Sequence, residues 1–183
     1  NGQGHLQIGV AAAAAPSGPF EDIGAPILSG DFSMIDASPF LDEDGAAYLF
    51  FVRDCSENVV NDIHESHIYG VRMNGDLVSL AGEPVLLTVP EQAWEAGEGT
   101  DWRWNEGPFV RKHAGRYYLQ YSANCFSSPA YALGVAVAES PLGPYEKAAY
   151  NPVLAAVEGE GKLLVSGPGH HSVVESPDGS EQF

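Results

Sequence analysis

The hydrophobic residues of this sequence fall in short runs separated by turn-forming residues. Runs such as "AYLFFV" at 47–52 and "YYLQYS" at 117–122 alternate or are aromatic, which is typical of strands. Tight turns occur at Asp42–Gly45, His113–Gly115 and Pro177–Gly179, each with a glycine where a positive φ costs least. The three acids of the first turn, at 42–44, are expected to be solvated. Helical periodicity is almost absent. The pattern predicts an all-β protein of antiparallel strands.

Two internal repeats show how these strands are grouped. Residues 8–28 align with residues 133–154, and Pro39–Leu41 aligns with Pro108–Val110 about 70 positions later. A third, incomplete copy of the second repeat begins at Ser172. Four strands in each unit of about 65 to 70 residues predict a β-propeller of four-stranded antiparallel blades.

The phase of the repeats sets the expected blade boundaries. We assign residues 1–30 to the outer part of a first blade, 31–100 to a second blade and 101–165 to a third blade, while 166–183 begin a fourth. The chain thus covers about three blades of one partial propeller domain, and a closed propeller needs at least about four. We therefore expect a fragment of a longer protein, with the remainder of the propeller as its partner.

Composition and charge exclude several classes of function. The 183 residues include 25 acids and 8 Lys or Arg, for a formal net charge of −17, so neither nucleic-acid binding nor binding to an anionic membrane is expected. The longest apolar run, 8–15, is too short to span a bilayer. Cys55 and Cys125 form no disulfide framework or metal-type spacing, and we expect free, partly buried thiols.

Three polar residues lie at the start of successive inner strands, which point toward the axis in a propeller. They are Asp36, Glu106 and His170, about one blade apart along the chain. Two carboxyl groups and an imidazole around one axis suit general acid and base chemistry. Taken singly, a residue such as Asp36 is more often a turn former and one such as Glu106 more often a solvated loop acid, while His170 is equally explained as a structural histidine, with His171 as its rival. Their common phase in three repeats is what favours a shared site.

Four ordered motifs resemble glycoside hydrolase family 43, the five-bladed propeller arabinanases, arabinofuranosidases and xylosidases. They are "MIDASPFLDEDGAAYLFF" from Met34, "WNEGPFVRKHAGRYYLQYS" from Trp104, "ALGVAVAESPLGPY" from Ala132 and "GPGHHSVVESPDG" from Gly167. The resemblance covers nearly the whole chain. It implies that Glu106 is the general acid, that Asp36 orients this acid and tunes its pKa, and that His170 lies in the pocket floor or beside a structural calcium.

Residues next to the proposed acid are expected to bind the substrate. Trp102 and Trp104 could each pack an indole face on a sugar, although their alternation on a strand leaves one of them as a core residue. Asn105, directly before the acid, is taken as a further substrate-binding residue. No cofactor is expected to be required.

One part of the family pattern has no counterpart in this sequence. The resemblance implies a general base, an aspartate ahead of "IGVA", but Asn1–Gly4 contain no acid. The isolated chain is therefore expected to be inactive. Three hypotheses remain. The first is an inverting glycosidase of arabinose- or xylose-containing plant polysaccharides or oligosaccharides, the second is a non-catalytic carbohydrate-binding propeller, and the third is an inactive truncated fragment or one chain of an assembly. The substrate favours a secreted or periplasmic location, with a cytoplasmic one left open.

Overall fold

The computed structural model describes residues 4–180, and these residues form short strands with a single turn of 3-10 helix at Ala93–Glu95. The strands are β1 (Ala11–Ala12), β2 (Glu21–Asp22), β3 (Met34–Leu41), β4 (Ala47–Arg53), β5 (Val59–Val60), β6 (Ile63–Glu65), β7 (His67–Arg72), β8 (Val85–Thr88), β9 (Trp102–Arg103), β10 (Glu106–His113), β11 (Arg116–Ala123), β12 (Ala132–Ala138), β13 (Glu146–Lys147), β14 (Val157–Gly159) and β15 (Lys162–Val165).

Two complete antiparallel sheets have the same four-stranded order. The second blade pairs β3-β4-β7-β8, and the third blade pairs β10-β11-β12-β13. The hairpins close as their turn residues require, with Gly45 at φ 84° and with Ala114 and Gly115 at φ 49° and 77°. These sheets confirm the predicted β-propeller of antiparallel blades.

The first internal repeat is visible as matching bridges at the outer edges of blades. Ile8 pairs with Leu28, and Leu133 pairs with Leu154, in the same antiparallel sense. Short two-stranded sheets, β1-β2 and β14-β15, lie on either side of the complete blades in sequence. The chain therefore covers about three blades, whereas the boundaries assigned at 1–30, 31–100, 101–165 and 166–183 stay predictions, with residues 1–3 and 181–183 outside the described part.

The hydrophobic core lies between the blades, and strand β4 supplies both of its halves. Phe50 and Val52 pack with β10, β11 and β12 of the third blade. Leu49 and Phe51 pack on the opposite face with Ile8 and Leu28 of the first blade. Because side chains alternate across a strand, one apolar run serves two interfaces, and the blades are held in a fixed relative position.

The acidic turn at 42–45, expected to be solvated, is different in the structure. Asp42 is only 7% exposed, because it lies against the neighbouring blade and accepts hydrogen bonds from Lys112 Nζ at 2.7 Å and from the Tyr117 hydroxyl. Glu43 and Asp44 remain exposed, as expected. Asp42 is therefore part of an interblade contact, and its interpretation as a solvated turn residue was wrong.

Two further expectations can be compared with the structure. Cys55 is buried, Cys125 is half-buried, and both are free thiols.

Within residues 4–180, the structure contains no helix with the length and hydrophobicity of a membrane span.

Candidate active site

The inner strands of both complete blades are interrupted by a bulge where the candidate residues lie. The ladder of β3 shifts between Ile35 and Ser38, and that of β10 shifts between Glu106 and Phe109. Asp36, inside the first bulge, has a φ of 56°, an uncommon value for a residue other than glycine. Bulges redirect side chains and are frequent beside active sites. Here Asp36 lies inside the bulge of β3, and Glu106, paired with Ser122, is the last regular pair before the bulge of β10.

A hydrogen bond between blades brings the two candidate carboxyl groups into one neighbourhood. The backbone N–H of Gly107 donates to Asp36 Oδ2 at 2.9 Å, although the two residues are 71 positions apart. Gly107 directly follows Glu106 in the chain. The structure therefore joins the first two candidates through a single peptide unit.

Glu106 has the properties of a carboxylic acid that holds its proton near neutral pH. The residue is only 9% exposed. Burial raises its pKa to about 7 from 4.5; a hydrogen bond from Tyr131 opposes this rise, and the negative charges of Asp36 and Asp54 add to it. Desolvation and like charges disfavour the carboxylate form. A side chain in this state can donate a proton to a bound molecule.

Asp36, Glu106 and His170 all line one cleft of about 560 Å³. His170 is exposed, its φ is 52°, and its backbone N–H donates to Ser122 Oγ at 2.7 Å. His171, its rival, is instead held by Gln120 Oε1 at 2.6 Å and is not among the cleft residues. The imidazole available to a ligand in this cleft is therefore that of His170.

The three residues before and around the acid have different environments. Trp104 lines the cleft, so its indole is available to a sugar. Trp102 is stacked on His64, with ring centroids 3.9 Å apart, and lies 6.4 Å from the ring of Trp104. Asn105 is fully buried, its amide donates to the carbonyl of Trp104 at 2.8 Å, and it is not among the cleft residues. Trp102 and Asn105 thus lie beside Trp104 and are not among the residues that line the cleft, and their binding of a sugar stays a prediction.

Other cleft residues were missed by the sequence analysis. Asp54 and Cys55 follow β4, while Phe126 and Tyr131 come from the segment between β11 and β12. A signal existed for the first pair, because Asp54-Cys55 and Asn124-Cys125 are at equivalent positions of the repeat, one blade apart. Burial and the charge of Asp54 and Glu106 act together to raise the pKa of Cys55, which keeps this thiol protonated.

The comparison with known proteins decides the family. The family model described as "Glycosyl hydrolases family 43" matches residues 1–183, the whole chain. The chain belongs to glycosyl hydrolase family 43.

Individual family 43 proteins are similar over nearly all of the chain. A crystal structure of a thermostable family-43 glycoside hydrolase is 52% identical, with a TM-score of 0.90, over 97% of this chain and 56% of that one. Beta-D-galactofuranosidase xynD of Aspergillus niger is 30% identical over 96% of this chain and 45% of its own length. Xylosidase/arabinosidase 43A of Humicola insolens is 28% identical over 94% and 56% respectively. The chain spans about half the length of these relatives.

Two further features that the family resemblance implies are the general base and a structural calcium. The segment 1–4, which holds no acid to act as the base, lies outside the described residues except for Gly4. Within residues 4–180, no group of three or more His, Cys, Asp or Glu side chains is arranged to hold a metal ion. A calcium beside His170 stays a prediction.

Proposed function

We propose that this chain carries the proton-donating half of an inverting family 43 glycosidase. Glu106 acts as the general acid, and Asp36 raises the pKa of that acid and fixes the adjoining peptide of Gly107. The observation that carries the proposal is the buried Glu106 carboxyl, with a pKa of about 7, in an open cleft beside a second carboxylate. This is the environment that a glycosidase acid requires.

In the proposed reaction, Glu106 donates its proton to the glycosidic oxygen as the bond to the anomeric carbon breaks. The carboxylate formed at Glu106 accepts a hydrogen bond from Tyr131. Inversion requires a second carboxylate about 6.5 to 9.5 Å away, which takes a proton from the attacking water on the opposite face of the sugar. That base is assigned to no residue of this chain.

The proposed substrate is an arabinose- or xylose-containing plant polysaccharide or oligosaccharide. The similarity to a xylosidase/arabinosidase and to a galactofuranosidase supports a pentose or a furanose at the cleaved bond. The indole of Trp104 on the cleft wall offers an apolar surface to the ring of such a sugar. The net charge of −17 does not oppose a neutral sugar. A location outside the cytoplasm follows from this substrate and stays a prediction.

The role of Glu106 is tested by Glu106→Gln in the whole protein that contains this chain. Hydrolysis of alkyl or natural glycosides is expected to fall about 10²- to 10⁴-fold, because the leaving oxygen is no longer protonated. Hydrolysis of a dinitrophenyl glycoside should fall far less, since that leaving group departs without a proton. Proton NMR of the sugar first released by the whole wild-type protein should show the anomer opposite to that of the substrate.

A matched control is Glu98→Gln, which removes an exposed carboxyl from the loop before β9. This variant should keep wild-type rates on all substrates. Equal losses on both leaving groups in Glu106→Gln would contradict the acid role. Carbohydrate binding without any hydrolysis by the whole wild-type protein would instead support the non-catalytic propeller.

A further inference from the structure

Tyr131 is a buried residue whose hydroxyl contacts the proposed acid. It directly precedes β12, is 4% exposed and lines the same cleft as Glu106. Its hydroxyl is hydrogen-bonded both to the Glu106 carboxyl group and to the Ser122 hydroxyl. This residue comes from the segment between β11 and β12 of the third blade, and it has no counterpart in the inner-strand pattern of the sequence.

The hydrogen bonds around Tyr131 form a chain with one direction. The backbone N–H of His170 can only donate, and it donates to Ser122 Oγ at 2.7 Å. Ser122, which is fully buried, is then free to donate its own proton to Tyr131, and Tyr131 donates to Glu106. Every hydroxyl in this chain accepts one hydrogen bond and donates one, so each bond strengthens the next.

The glycines before His170 hold the Tyr131 ring in this position. A Cβ atom added to Gly169 would lie 2.1 Å from Cε1 of Tyr131, and one added to Gly167 would lie 2.9 Å from the carbonyl oxygen of Ser128. The backbone N–H of Gly167 also donates to the carbonyl of Pro129 at 3.2 Å. Gly169 therefore packs directly on the ring, and neither Gly167 nor Gly169 has room for a side chain.

We propose that Tyr131 is a positioning residue for the general acid: its hydroxyl orients the Glu106 carboxyl group, and the segment 167–169 clamps its ring. The inference rests on the proposed role of Glu106. A fixed hydrogen bond to one carboxyl oxygen leaves the other oxygen to face the substrate. It also stabilises the carboxylate that remains after proton transfer.

Tyr131 acts against the other groups that face Glu106. Asp36 from β3, and Asp54 and the Cys55 thiol from the end of β4, supply negative charge or an apolar surface, and His170 lines the open side. Burial and the two aspartates hold the proton on Glu106, whereas Tyr131 favours its release. Tyr131 thus keeps the acid able to give up its proton as well as to hold it.

The test is a titration of the Glu106 carboxyl carbon by carbon-13 NMR in Tyr131→Phe, with the signal identified by its loss in Glu106→Gln. We expect the pKa of Glu106 to rise by about one, a tenfold change in its ionisation constant. Ser122→Ala should shift it in the same direction by less, because only the supporting bond is lost. Tyr118→Phe, which removes a half-buried hydroxyl elsewhere on β11, is the matched control and should leave the titration unchanged.

An unchanged pKa in folded Tyr131→Phe would overturn the proposal, and if that variant fails to fold, an unchanged pKa in Ser122→Ala does the same. The pH dependence of kcat/KM separates the positioning role of Tyr131 from the acid role of Glu106. In the whole protein, the alkaline limb of kcat/KM should move upward with the NMR value in Tyr131→Phe. An NMR shift with no movement of that limb would instead show that Glu106 is not the acid.

Discussion

At the scale of single residues, the acidity of Glu106 results from opposing influences that arrive from separate parts of the chain. Burial and the charges of Asp36 and Asp54 raise its pKa, and the hydrogen bond from Tyr131 lowers it. None of these neighbours is within 20 residues of Glu106 in the sequence. The proton affinity of this side chain is therefore a property of the folded propeller and is absent from the unfolded chain.

This difference links the stability of the protein to pH. The pKa of Glu106 is about 7 when folded and 4.5 in the unfolded reference, so the unfolded state binds fewer protons between these values and stability falls as pH rises through that window. The full effect is about 3 kcal/mol. We expect Glu106→Gln, which cannot ionise, to gain stability relative to wild type on going from pH 4.5 to pH 8, measured by urea unfolding at both values.

The exposed Glu98 again provides the comparison, because Glu98→Gln should not change the pH dependence. A wild-type protein that loses no stability relative to Glu106→Gln between pH 4.5 and pH 8 would show that the folded pKa is not raised.

The residues of the site differ in how far the sequence could predict them. Asp36, Glu106 and His170 share one phase of the repeat, and such positions converge in a propeller, so their common cleft could be predicted. Tyr131 could not, because its position depends on the path of the segment between β11 and β12. The burial of Asn105 was also hidden, since "WNEGPF" does not tell which side of the strand each residue occupies.

At the scale of elements, the loop before β9 is anchored by a buried ion pair. Glu95 is fully buried and accepts from Lys147 Nζ at 2.7 and 2.8 Å, and also from the Tyr121 hydroxyl at 2.7 Å. The carbonyl of Glu95 in turn accepts from the backbone N–H of Trp104 at 3.0 Å. This pair therefore fixes the loop that presents Trp104 to the cleft.

Removal of one member should leave the other as an unpaired buried charge. We expect Lys147→Met to destabilise the protein by about 3 to 5 kcal/mol, measured by chemical unfolding. Lys162→Met, on the exposed strand β15, is the control and should change stability by less than about 0.5 kcal/mol. If the two variants were equally stable, the pair would not anchor the loop.

The sequence predicts only part of this element. The polar composition of segment 90–101 is typical of a loop, yet in the sequence Glu95 looks like any solvated acid. Its partner Lys147 is 52 residues away on β13, and only the packing of that strand brings them together. A buried ion pair between distant elements leaves no local pattern in a sequence.

At the scale of the whole molecule, polar contacts join the second and third blades at both ends of their inner strands. At the cleft, Asp36 accepts from Gly107; at the hairpin end, Asp42 accepts from Lys112 and Tyr117. Burial alone would raise the pKa of Asp42, but the hydrogen bonds from Lys112, Tyr117 and the Glu43 backbone outweigh it, and its pKa is lowered. The apolar core lies between these two contacts.

Because the folded pKa of Asp42 is lowered, its stabilising contribution is complete above its unfolded pKa of 3.8 and is lost as pH falls through the folded value. We expect Asp42→Asn to be less stable than wild type at pH 6, with the difference shrinking as the pH is lowered below 3.8. Thermal unfolding from pH 6 to pH 2 measures this. A difference that stays constant over the range would mean that the charge of Asp42 does not hold the blades together.

The repeats predicted the architecture at this scale, because strand alternation and turn spacing recur in each blade. The polar contacts between blades could not be predicted. Asp42 sits in a turn composition that is normally solvated, and its burial depends on the hairpin of one blade meeting β10 and β11 of the next.

The central claim is that carboxyl groups from two blades meet in one cleft and that one of them keeps its proton near neutral pH. Titration of the Glu106 carboxyl carbon in wild type and Asp36→Asn tests it most directly, since asparagine also tolerates the left-handed backbone of residue 36. We predict a wild-type pKa of about 7 that falls in Asp36→Asn. A wild-type value near 4.5, or one that does not respond to Asp36→Asn, would contradict the account.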